Sequence, residues 1–149
     1  MNIHPIIVHF PVALLSLYAV LELVRFRKVM EKPYWFYIKG ALVIFGSLGS
    51  LAAYATGPEG KPAPRILEMH ATFATATLFI FAVIAFSYLF QWCKPNKYSA
   101  FIHRSYIIIP LAVIGLICVT VTGALGGAMV YGTHFDPFMA PIFKILGVY

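Results

Sequence analysis

The run IIVHFPVALLSLYAVLELVRF, residues 6–26, decides the fold class. An α-helix crosses the hydrocarbon core of a bilayer in about 20 residues, and this run supplies them. Three further apolar stretches follow, at about 35–54, 69–92 and 105–131. Hydrophobic residues make up 61% of the 149-residue chain and charged residues only 11%, and the mean hydropathy is +0.86. A soluble domain would carry about a quarter charged residues. The expectation is an all-α integral membrane protein, a single transmembrane domain over 1–149 with four spans. No basic stretch precedes the first run and no small-residue cleavage site follows it, so it reads as a retained span rather than a signal peptide.

The links are short and rich in helix breakers. Pro33 lies in the first, residues 56–64 (TGPEGKPAP) form the second, and Lys94, Pro95, Asn96 and Lys97 form the third. Such links favour an up-down-up-down bundle, with each helix beside its neighbour in sequence. A tail after Gly132 carries a short apolar piece, 138–146, expected to lie at the membrane interface. The formal charge is +6, but the basic residues cluster beside the spans. This is a topology signal, not a nucleic-acid patch. Arg25, Arg27, Lys28, Lys32, Lys39, Lys94, Lys97 and Arg104 fall on one side; Lys61, Arg65 and Lys144 fall on the other. The positive-inside rule then puts both termini outside, in the periplasm for a bacterial inner-membrane protein.

With that topology, four of the five histidines share the outer side. His4 and His9 open the first span, His70 opens the third and His134 follows the fourth, while His103 lies inside. Helices one and three are diagonal in a four-helix ring, so His9 and His70 are expected to face each other across its axis as the ligands of a b-type haem. Porphyrin needs flat clearance on the other two helices. Gly46, Gly49 and Ala53 in the second span, and Gly123, Gly126 and Gly127 in the fourth, offer small residues at that depth. Gly123 and Gly127 also have the spacing of a simple helix-packing motif. Arg65 and Lys61 could neutralise propionates, and His4 and His134 could serve a second haem or hydrogen-bond to propionates. The same histidines, with Glu68 or Asp136, could instead cage copper, iron or zinc.

Glu22 lies toward the inner end of the first span, where an unpaired carboxylate is costly. Arg104 or His103 is its expected partner, either as an ion pair or as part of a proton-exchanging group near a quinone. Tyr34, Trp35, Tyr37, Trp92, Tyr98, Tyr106 and Tyr131 read as interface anchors. Cys93 and Cys118 form no CxxC pattern, and at different depths they are not expected to pair. No phosphate loop, nucleophile elbow or catalytic carboxylate pair appears, which argues against an enzyme acting through side chains alone.

The opening HPIIVHFPVALL, the histidine heading the third span and the closing TGALGGAMVYG resemble a widespread family of small four-helix bacterial membrane proteins. That family is marked by a His-Pro…Val-His-Phe-Pro start and a Thr-Gly…Gly-Gly…Val-Tyr end. The motif positions here are His4, Pro5, His9, Phe10, Pro11, His70, Gly123, Gly126, Gly127 and Tyr131, and Glu22 stands where the family tends to be acidic. The resemblance implies a haem-binding, cytochrome b-like membrane protein.

The reading is an electron-transfer subunit rather than an enzyme by itself. It would carry at least one haem b near the outer face, beside other membrane redox subunits, a quinone or quinol, or a periplasmic cytochrome. Two competitors use the same residues: a metal-binding or metal-transporting protein, and a cofactor-free assembly subunit whose histidines only tie helix ends together.

Overall fold

The computed structural model describes residues 4–24, 32–57, 64–93, 106–134 and 137–148. These form four long helices, α1 (His4–Leu23), α2 (Pro33–Ala55), α3 (Arg65–Cys93) and α4 (Ile108–Tyr131), and a short α5 (Ala140–Leu146). Each of the four contains a stretch long and apolar enough to cross a membrane, and there is no strand among the described residues. Prolines mark the starts. Pro33 and Pro141 occupy the first turns of α2 and α5, where a missing N–H costs nothing. The Pro64 carbonyl accepts from the Leu67 N–H at 2.8 Å, so α3 begins at Arg65 rather than near residue 69.

Packing closes a ring. α1 lies chiefly on α2 and α3 on α4, while α2–α3 and α1–α4 contacts complete the circuit. Helix association in lipid depends on close packing more than on burial of apolar surface, and glycine provides that approach twice between α1 and α2. A methyl at Gly49 would lie 3.1 Å from Phe10 and 3.3 Å from Pro11. One turn away, a methyl at Gly46 would meet Leu15 at 2.5 Å. Gly49 therefore seats α1. This corrects its expected role as flat clearance for a porphyrin. Between α3 and α4, Gly115 receives the Phe81 ring in the same way.

The core joins Leu15, Tyr18 and Ala19 of α1, Val43 of α2, Phe81, Ile84, Ala85 and Tyr88 of α3, and Ile108, Ala112 and Val119 of α4. Large apolar side chains also cover the outside, with Phe79 at 71% and Phe86 at 69% exposure, as a lipid-facing surface requires. Hydroxyls within the spans fold back on their own helices: Thr72, Thr75, Thr77, Thr120 and Thr122 each donate to the carbonyl four residues earlier.

The tail packs onto one end of the bundle. Phe143 of α5 is fully buried, and it and Val148 pack with Val121, Leu125 and Ala128 of α4, flanked by Ile66, Met69 and Phe73 of α3. Arg65 Nε donates to the Leu146 carbonyl at 3.0 Å, placing a cation on the negative end of α5. Ile145 and Phe138 face outward.

Gly46→Val will therefore lower bundle stability by about 1–3 kcal/mol through overpacking, read as thermal unfolding in detergent. A methyl at Gly123 meets nothing within 4 Å, so Gly123→Ala will stay within about 0.5 kcal/mol of the parent or be mildly stabilising.

Candidate functional site

The bundle has two polar centres, one toward each end. At the end where α1 and α3 begin, His4 and His70 anchor the first. His4, Pro11, Leu15, Tyr18 and Glu22 follow heptad-like spacing on α1, and the last four are buried. His4 thus heads the interior face. His9 is five residues further on, which at 3.6 residues per turn is about 140° around the helix; it is exposed. The pair expected across the axis, His9 with His70, is not the pair the fold brings together. His4 lies within electrostatic range of His70.

Both imidazoles are oriented through the same nitrogen. His70 Nδ1 is 3.0 Å from the Thr122 carbonyl. A carbonyl only accepts, so Nδ1 carries the proton and the lone pair of the neutral ring is on Nε2. Gly126 borders the ring; a methyl there would lie 3.4 Å from it, in ordinary van der Waals contact. His4 Nδ1 is 3.2 Å from Thr56 Oγ1. The Thr56 hydroxyl proton is directed to the Ala52 and Ala53 carbonyls, at 3.2 and 3.0 Å. With that proton on either carbonyl, the oxygen accepts from His4 Nδ1–H and the His4 lone pair is on Nε2. Metal-ligating histidines are held in this way by an acceptor behind the ring.

The other residues expected here are placed differently. Gly123 and Gly127 meet nothing within 4 Å of an added methyl, so they do not form a packing motif between these helices; they leave open surface on α4 on either side of Gly126. His134 is exposed beyond the end of α4. Arg65 is engaged with the Leu146 carbonyl. No group of three or more His, Cys, Asp or Glu side chains that could hold a metal ion occurs among the described residues, so the histidine cage with Glu68 is not assembled. Asp136, the other acidic candidate for the cage, and Lys61 lie outside the described residues.

The second centre is toward the opposite end. Glu22 is 2% exposed, and its Oε2 accepts from Lys39 Nζ at 2.8 Å and from Tyr88 Oη at 2.9 Å. Lys39 of α2 is its ionic partner among the described residues; Arg104 and His103, the expected partners, lie outside them. Tyr88 is held by the Phe36 ring, stacked at 5.1 Å, and by the edge of Tyr18 at 6.0 Å. The Tyr18 hydroxyl points into the same cluster, fully buried, without a hydrogen bond. Reading the sequence found Glu22 but missed its partners. Two signals were available: Lys39 is a charge within the second apolar run, and Tyr18 and Tyr88 stand away from span ends, where a buried phenol needs a polar neighbour.

Residues 1–136 match the model of a family described as predicted membrane protein (DUF2231). No match was found among curated proteins or among solved structures.

Breaking a buried ion pair strands the remaining charge, at a cost of about 3–5 kcal/mol. Lys39→Met will show a loss of that order in detergent unfolding, and Tyr88→Phe about 1.5–3 kcal/mol. Combining Lys39→Met with Glu22→Gln will recover most of the loss, because no buried charge is then left unpaired.

Proposed function

The chain belongs to the DUF2231 family of predicted membrane proteins, and on that premise we propose that it is a membrane electron-transfer subunit carrying a b-type haem between His4 and His70. The observation that carries this reading is that both rings are bonded through Nδ1. Imidazoles on diagonal helices, each bonded through Nδ1 to a fixed oxygen, turn Nε2 into the ligating atom. Ligand number favours haem over a bare ion. A structural zinc or copper site takes three or four protein donors, whereas a porphyrin brings four nitrogens and needs only two axial histidines. A haem with both axial positions filled passes single electrons and leaves no open site for oxygen chemistry.

The chain's own residues orient and shield. Thr122 and Thr56 hold the two rings, and Gly126 borders the His70 ring. Gly123 and Gly127 leave the α4 surface without side-chain bulk, as a flat macrocycle requires. The surrounding apolar helices keep water out. The distribution of lysine and arginine supports an orientation with this centre and both termini on the periplasmic side of a bacterial inner membrane. A quinol or another membrane redox subunit would then serve as donor, and a periplasmic redox protein as acceptor.

One observation favours a second reading. The His4–Thr56 and His70–Thr122 bonds link α1 to α2 and α3 to α4, which is what a cofactor-free subunit would use to tie its helix ends.

Spectra of protein purified in mild detergent from a haem-sufficient host separate the two. Split α and β bands on reduction are expected, lost in His4→Ala and in His70→Ala but kept in His9→Ala. A colourless protein at full expression would leave the helix-tie reading. Loss of haem in His9→Ala with retention in His4→Ala would return the ligand to His9.

A further inference from the structure

We propose that Glu22 is an intramembrane proton-exchange site, taking a proton from water at the basic end of the bundle, with Tyr18 as the acceptor that stabilises its acid form. A purely structural ion pair needs donors for the carboxylate and nothing more. This cluster has one group beyond that requirement. Lys39 and Tyr88 both donate to Oε2 of the ionised carboxylate, while the Tyr18 hydroxyl is fully buried beside them without a hydrogen bond. A buried hydroxyl with no partner costs about 1–3 kcal/mol, so its place in the cluster calls for an explanation.

The protonated state supplies one. A carboxylic acid gains an O–H donor and needs an acceptor for it. Tyr18 Oη, one turn back along α1, is the group positioned to accept. Lys39 completes the exchange. Its side chain is 12% exposed, so it links the carboxylate to the bundle surface, and its ammonium can turn toward the headgroups when Glu22 becomes neutral. In that step one proton from water converts carboxylate to acid, and the cluster goes from neutral to a single positive charge.

α1 contributes Tyr18, α2 Lys39 and α3 Tyr88, while α4 brings Ile108, Leu111 and Ala112 to the same core. The site is toward the opposite end of the bundle from His4 and His70, and neither its argument nor its test involves haem.

The test is infrared difference spectroscopy of the full chain in phosphatidylcholine vesicles, recorded between alkaline and acid pH. A carboxylic-acid C=O band that grows on acidification and is absent in Glu22→Gln is expected. The two tyrosines must then shift its midpoint in opposite directions. Tyr18→Phe removes the acceptor of the acid form and lowers the midpoint; Tyr88→Phe removes a donor to the carboxylate and raises it. If Glu22→Gln does not fold, isotope-labelled glutamate identifies the band as glutamate, and the opposed tyrosine shifts assign it to Glu22. Absence of a glutamate band moved by either tyrosine variant, or shifts of the same sign, would overturn the proposal and leave a structural ion pair.

Discussion

Lipid offers no hydrogen bonds, so a polar group within the spans is stabilised by a partner inside the protein. That constraint organises the bundle from end to end. The threonines answer it locally by bonding to carbonyls of their own helices. Glu22 cannot, and it draws Lys39 from α2 and Tyr88 from α3 into one cluster, so a single carboxylate sets the relation of three helices. At the other end the imidazoles of His4 and His70 bind oxygens on α2 and α4. The polar contacts specify which helices meet, and the glycines at 46, 49 and 115 let them meet closely.

The two centres differ in kind. His4 and His70 are each bonded through Nδ1 to an oxygen behind the ring, an arrangement suited to a ligand that takes two imidazole donors. The Glu22 cluster is charged, enclosed and tied to the surface through Lys39, an arrangement suited to a proton. Ionisable groups held in the membrane at this cost tend to be functional. The distance between the centres along α1 is most of the helix, since His4 is its first residue and Glu22 its last but one.

Much of the fold was legible in the sequence, and less of the site. Span number, link positions and ring order follow from hydropathy and loop length, because about 20 apolar residues cross a bilayer whatever their neighbours. Glu22 and the histidines stood out because polar groups are rare in such runs. The expected pair across the axis was His9 with His70. The helical period reverses that choice, since His4, not His9, is in phase with Pro11, Leu15 and Tyr18. Gly49 was read as clearance when it is the seat of Pro11, and nothing in a glycine by itself distinguishes a filled approach from an open one.

The sequence by itself determined that this is a membrane helical bundle, and it marked the few polar residues that lipid must not meet. These are properties of single segments, governed by composition and period. Only the tertiary structure decided that Lys39 pairs with Glu22, that Tyr18 joins them, that Gly123 and Gly127 stay open, and that α5 folds onto α3 and α4. Those outcomes depend on the rotation of each helix about its axis and on its depth against its neighbours. Rotation and depth are set by how side chains interlock across the bundle, which no single segment contains.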